Sequence, residues 1–267
     1  MDHHTTAILL VSFGTSYLDS KEKTIDKIMG KISEAFPNCR LYQAWTSKML
    51  LKILKERYHL AIPSVEEAMA EIISDGIKTL IVQPTHFIHG VENDTMINTI
   101  QKHVPDTMNV FFGSPLLCSP RDQKKALQTI LSDFSHLSQK EALVLMGHGT
   151  THYDNFIYAA LNDMLKEMGY ANFFLGTMEA YPDLSVLLQK MQNKGIQKVH
   201  LAPFMLVAGK HAHQDMAGTS QRSWKSLFEK AGYEVICHFK GLGEYDSIQE
   251  LYLEHLRAAF DQAYKDI

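Results

Sequence analysis

The chain has 267 residues, 45% hydrophobic and 21% charged, and its 26 basic against 30 acidic side chains give a formal charge of −4. This is the composition of a folded globular protein with room for two domains, which excludes extended disorder, and it lacks the basic footprint of a nucleic-acid binder. No stretch approaches the roughly 18 apolar residues of a membrane span, and three scattered cysteines, Cys39, Cys118 and Cys237, form neither a disulfide framework nor a cysteine-based zinc site.

The opening Met1-Asp2-His3-His4 lacks the basic region of a signal peptide, so a cytoplasmic setting is expected. Ala7–Val11 reads as a buried strand. Ile25, Ile28, Met29, Ile32 and Phe36 follow at helical spacing, stopped by Pro37-Asn38. Arg40–Ala44 is the next strand. Ser64-Val65-Glu66-Glu67 is a capping box that opens a helix with Val65, Ala68, Met69, Ile72 and Ile73 on one face and Gly76 as its stop. Thr79–Gln83 and Asn109–Phe112 are strands. The pattern then restarts with a strand at Ala142–Met146. Phe156, Ile157, Ala160, Leu161, Met164 and Leu165 mark a helix face that ends before Gly169. A strand at Phe173–Leu175 precedes a helix capped by Asp183, and Val199–Leu201 and Val235–Cys237 are the last strands.

Alternation of this kind predicts parallel sheets covered by helices on both faces. The restart reads as a duplication. Gly76–Pro84 lies over Gly195–Pro203 at an offset of 119, Gly14 over Gly149 at 135, and Thr46 over Glu179 at an intermediate 133. We expect an α/β protein of two similar three-layer α/β/α domains, residues 1–130 and 131–267, joined near residues 125–140. The final helix, around Ile248–Ala259, is expected to cross back as an arm.

Open α/β sheets bind ligands beyond the carboxyl ends of their strands. Two loops fall there, Ser12-Phe13-Gly14-Thr15-Ser16 and Gly147-His148-Gly149-Thr150-Thr151. Their amides and hydroxyls suit anionic groups, or else make tight turns, and neither is a Walker phosphate loop. His148, between two glycines at a strand end, is poorly placed for core packing and suits a metal ligand or general base. Lys210-His211-Ala212-His213-Gln214-Asp215 follows another apolar strand. On a helix His211 and Asp215 share a face and His213 does not, which makes Asp215 a helix-terminus charge or an orienter of a histidine. Glu179, ahead of Tyr181-Pro182, completes a His/His/Glu set with open coordination positions, or else caps a turn. The first half has Phe13 where the second has His148, and Glu92 where it has His211. The metal set therefore belongs to the second half, and His86 and His89 are ligand-facing candidates.

Val11-Ser12-Phe13-Gly14-Thr15-Ser16, Met146-Gly147-His148-Gly149, Glu179-x-Tyr181-Pro182 and Leu206-Val207-Ala208-Gly209-x-His211-Ala212-x-x-Asp215-Met216 together closely resemble the anaerobic cobalt chelatase family of cobalamin biosynthesis. Trp224-Lys225 and Gly241-Leu242-Gly243-Glu244 extend the resemblance, which runs in order from about residue 7 to residue 245. It implies two α/β domains with a tetrapyrrole cleft between them. It also implies insertion of Co²⁺, the substrate metal, into sirohydrochlorin with no organic cofactor, Fe²⁺ and Ni²⁺ being further candidate metals. Carried over by motif, the metal-binding residues are His148, Glu179 and His211, with His148 and His211 also the bases; His89 and His213 lie outside the pattern. Candidate substrate contacts are Ser12, Gly14, Thr15, Ser16, His86, Glu92, Gly149, Thr150 and Lys210. The expected partner is the tetrapyrrole, with neither nucleic acid nor membrane, and a homo-oligomer is left open. The competing readings are an iron-inserting tetrapyrrole chelatase and a non-catalytic metal or haem carrier.

Overall fold

All seven residues of the first strand, β1 (Thr6–Ser12), are buried, as expected of a parallel strand covered on both faces. After it come α1 (Leu18–Lys23), α2 (Ile25–Ala35), β2 (Arg40–Trp45), α3 (Lys48–Tyr58), α4 (Val65–Ser74), β3 (Thr79–Pro84), α5 (Val91–His103) and β4 (Asn109–Phe112). The pattern repeats in α6 (Pro120–Ser132), β5 (Glu141–Gly147), α7 (Phe156–Glu167), β6 (Phe173–Thr177), α8 (Leu184–Met191), β7 (Lys198–Pro203), α9 (Trp224–Lys230) and β8 (Glu234–Cys237), and α10 (Asp246–Lys265) closes the chain. This computed structural model describes residues 5–265.

Each half holds one four-stranded parallel sheet, and the two share a strand order: β2-β1-β3-β4 and β6-β5-β7-β8. The register repeats as well. Ala7 pairs with Leu80 in the first sheet, and Ala142 with Val199 in the second, which matches the expected offsets of 135 and 119. Val11 pairs with Ala44 and Met146 with Gly176, so Ala44 and Gly176 hold equivalent places 132 residues apart. That is one short of the expected 133, and it sets Glu179 over Ser47 rather than Thr46.

The chain divides into two units. The first runs to Cys118 and takes in Asp246 onward; the second is Ser119–Tyr245. The crossing therefore lies ahead of the expected 125–140, because α6 is one uninterrupted helix. Ser119 accepts the Asp122 amide at 3.2 Å and Pro120 opens the first turn, so the helix starts there and cannot be shared between units. The expectation for the last helix matches its packing. α10 lies on α2, β3 and β4, Phe260 stacks on Phe36 with ring centroids 4.4 Å apart, and the buried Tyr252 hydroxyl donates to the Thr85 carbonyl at 2.9 Å.

Alternate residues of each strand serve opposite faces. In the first unit Ala7, Leu9 and Val11 pack with Val65, Met69 and Ile72 of α4 and Met96 and Ile100 of α5. In the second, Ala142, Val144 and Met146 pack with Leu187 and Met191 of α8 and Trp224 and Phe228 of α9. The Ser64 capping box is present in both directions, at 3.2 and 2.8 Å. One helix face differs from its apolar spacing. α7 buries Tyr158, Leu161, Asn162 and Leu165, and leaves Phe156 exposed. Asn162 decides this: its amide donates to the Leu175 carbonyl at 2.6 Å and its oxygen accepts the Leu175 N–H at 2.9 Å. A buried side chain that satisfies a strand's backbone turns the helix toward itself.

Candidate metal centre

In each sheet the first strand lies between the second and third, so successive crossovers leave in opposite directions. The loops after the first and third strands then flank the crevice where such sheets gather ligands. In the second unit those loops follow β5 and β7 and carry His148 and His211, while Glu179 follows the neighbouring β6.

The His148 loop is tied to the Glu179 loop through the backbone. The Met178 and Glu179 amides both donate to the His148 carbonyl at 3.1 Å. Gly149 makes this approach possible. Its φ is +84°, and a Cβ there would lie 2.8 Å from Thr177 Cβ and 3.1 Å from the Ala180 nitrogen. His211 opens a single π-helical turn, His211–Met216, after the β7 loop. Wide turns of this type are frequent at functional sites.

The side chains converge. The His148 and His211 rings meet edge-to-face with centroids 4.9 Å apart and planes at 85°. Glu179 Oε2 lies 3.7 Å from His148 Nδ1. His148 Nδ1 donates to the Gly149 carbonyl at 2.9 Å, and His211 Nδ1 donates to the Asp215 carboxylate at 2.8 Å. Neither acceptor carries a proton, so each neutral imidazole keeps its hydrogen on Nδ1 and leaves Nε2 with a lone pair. The Asp215–His211 pair has the carboxylate–histidine form that orients metal-binding imidazoles. Glu179 stands on the same Nδ1 side of His148, and both rings and their carboxylates are partly open to solvent. Replacing Asp215 with Ala is expected to weaken Co²⁺ binding about 10- to 100-fold while leaving the fold intact, as read by calorimetric titration of the metal.

The remaining candidates divide. Thr150 donates its amide to Asn155 Oδ1 at 3.0 Å and accepts the His152 amide on its hydroxyl at 3.1 Å, and Lys210 is exposed just ahead of His211. His213 stacks on Phe239, with centroids 4.6 Å apart. In the first unit the loop hydroxyls are largely committed to the fold. Ser12 is fully buried and its hydroxyl accepts the Thr85 hydroxyl at 2.9 Å, while buried Thr15 accepts the Tyr17 amide at 3.1 Å. Gly14, at φ +102°, leaves no room for a Cβ against the Trp45 ring. Ser16 is half-buried, and Glu92 and His89 are exposed. The expectation that Ser12, Gly14 and Thr15 are open donors therefore meets a tight turn that buries both hydroxyls.

His86 is buried, with Nδ1 3.5 Å from Asn93 Oδ1 and no partner on Nε2. Burial disfavours the imidazolium and pushes its pKa down to about 4, against 6.5 in an open chain. The unfolded chain then binds the extra proton first. Stability from a neutral His86 is complete above pH 6.5 and is lost as the pH falls toward 4, by about 3 kcal/mol in all. Urea titrations of the protein and of a His86→Phe variant should show their stability difference changing by this amount between pH 7.5 and 4. A difference independent of pH would mean that His86 is not held neutral.

Among the described residues, a cavity of about 400 Å³ lies elsewhere in the second unit, lined by Asp133, Phe134, His238 and Tyr245 among others. None of the candidate residues borders it. Beside it His200 bonds to His238 at 3.0 Å and faces Glu141 at 3.3 Å. Sequence reasoning passed over Asn155, whose amide donates to the Tyr181 carbonyl at 2.6 Å. With its bond to Thr150 it joins the loops after β5 and β6, and a lone asparagine in a polar turn carries no signal of that.

Comparison with known proteins gives the family. The chain is 33% identical over 260 residues to the sirohydrochlorin cobaltochelatase of Salmonella typhimurium, covering 97% of this chain and 98% of the relative. It is 30% identical over 255 residues to the sirohydrochlorin cobaltochelatase CbiKC of Nitratidesulfovibrio vulgaris, covering 94% and 89%. The structure of SirB from Bacillus subtilis with Fe³⁺ has the same fold, with a TM-score of 0.66 at 14% identity over 96% of this chain and 95% of that one. The family model for cobalt chelatase (CbiK) matches residues 6–261, and the chain belongs to that family.

Proposed function

We propose that the protein is a sirohydrochlorin cobaltochelatase, inserting Co²⁺ into sirohydrochlorin with release of two protons in anaerobic cobalamin biosynthesis. The family match and the two full-length relatives support the reaction. The observation that carries the chemistry is the pair of imidazoles, 4.9 Å apart, each with Nδ1 anchored and Nε2 open.

A tetrapyrrole takes up a divalent metal fully only as two pyrrole N–H protons leave. The site supplies both needs. The Nε2 lone pairs of His148 and His211 suit a borderline cation such as Co²⁺, and as the ring nitrogens displace them the same atoms become proton acceptors. Asp215 accepts from His211 Nδ1 at 2.8 Å and Glu179 lies 3.7 Å from His148 Nδ1, so each imidazole has a carboxylate on its Nδ1 side. The exposed Glu179 carboxylate is also free to swing onto the metal as a third ligand. Thr150 and Lys210 are the proposed contacts for the carboxylates of the substrate.

Anaerobic incubation with sirohydrochlorin and Co²⁺, followed by visible absorption, tests the reading, with Fe²⁺ and Ni²⁺ in parallel. Insertion of Co²⁺ well above the rate without protein is expected, with no nucleotide required. Metal or tetrapyrrole binding with no gain in rate would mark a carrier, and faster Fe²⁺ insertion would mark an iron chelatase.

A further inference from the structure

Tyr153, Phe156 and Tyr181 are 72%, 78% and 60% exposed. These large rings, on the segments after β5 and β6, present apolar surface that water disfavours, and Tyr153 also packs on His152 with ring centroids 4.0 Å apart. The loops beneath them are held. Thr150 donates to Asn155 Oδ1 at 3.0 Å, and Asn155 Nδ2 donates to the Tyr181 carbonyl at 2.6 Å. One side chain thus ties the segment bearing Tyr153 and Phe156 to the segment bearing Tyr181. These are the same two loops that carry His148 and Glu179, joined by the Glu179 amide on the His148 carbonyl.

We propose that Tyr153, Phe156 and Tyr181 form an aromatic platform that takes the flat face of the tetrapyrrole, with Asn155 as its positioning residue. The inference rests on the chelatase reading. A conjugated macrocycle offers a broad polarisable face that stacks on aromatic rings, and the tyrosine hydroxyls give the platform polar tips for a carboxylate-bearing rim. Continuity with the metal residues argues for this occupant: a substrate whose centre lies at the two imidazoles must extend over whatever surface adjoins them. The platform binds the ring and leaves the metal alone, so it sets affinity for the macrocycle rather than the rate of insertion.

The test is the double variant Tyr153→Ala/Phe156→Ala of the full chain, beside Phe156→Tyr. The double variant should raise KM for sirohydrochlorin about tenfold or more while kcat stays within about twofold. Calorimetric titration with Co²⁺ alone should match the unaltered protein, and Phe156→Tyr should keep the original KM. An unchanged KM in the double variant would overturn the platform. So would an unchanged KM accompanied by a fall in oligomeric state in sedimentation velocity, which would assign the rings to contacts between copies. Fluorescence titration of metal-free sirohydrochlorin separates this inference from the chelatase reading. If the unaltered protein binds the ring without inserting metal, chelation fails, and the platform is judged by whether the double variant binds more weakly. If nothing binds, both fail.

Discussion

Replacing His148 or His211 with Ala is expected to lower Co²⁺ insertion into sirohydrochlorin by about 100-fold or more, the range set by loss of a positioned proton acceptor together with a metal ligand. Both side chains are partly open to solvent and neither supports the core, so unfolding curves of the variants should overlay that of the parent. The two losses should not add. Each imidazole needs the other to share one ion, and the double variant should be hardly slower than either single one. Full additivity in the logarithm of the rate would mean that the two act at separate points. His213→Ala provides the contrast: its ring stacks on Phe239, and insertion should change by less than about twofold.

Gly149→Ala is the second large effect. At φ +84° an alanine is strained by about 1–2 kcal/mol, and its Cβ would press on Thr177 and the Ala180 backbone. The two loops must part to admit it, so stability should fall by about 2–4 kcal/mol in all. Insertion should fall further than the folded fraction accounts for. His148 would move relative to Glu179, and a misplacement of about 1 Å can cost about 100-fold. Urea unfolding and insertion rates on the same preparation check both halves. A variant as stable and as fast as the parent would show that the loop junction does not hold the site.

Much of this arrangement is legible in the amino-acid sequence because it rests on strong local signals. Ala7–Val11 and Ala142–Met146 are continuous apolar runs, and a parallel strand buried on both faces needs such a run. The histidine between Gly147 and Gly149 stands where a strand ends, and the i, i+4 spacing of His211 and Asp215 brings them to one side of a turn, where they bond. What could not be read depends on partners distant in the chain. Asn162 selects the buried face of α7 through Leu175, so Phe156, apolar and in phase with the helix, is left exposed. Ser12 looks like an open donor until Thr85, far along the chain, closes over it in the core and donates to its hydroxyl oxygen. The boundary between units falls ahead of α6 because Ser119 and Pro120 start that helix, while the spacing of the duplicated strands marks only where the pattern repeats.

The central claim is that His148 and His211 hold one metal ion between them. Crystals grown anaerobically with Co²⁺, with diffraction recorded on both sides of the cobalt absorption edge, test it most directly. The account predicts a single strong anomalous peak about 2.0–2.2 Å from Nε2 of both histidines, with Nδ1 of His211 still on Asp215. A peak seated elsewhere in the protein, with both Nε2 atoms left free, would contradict it.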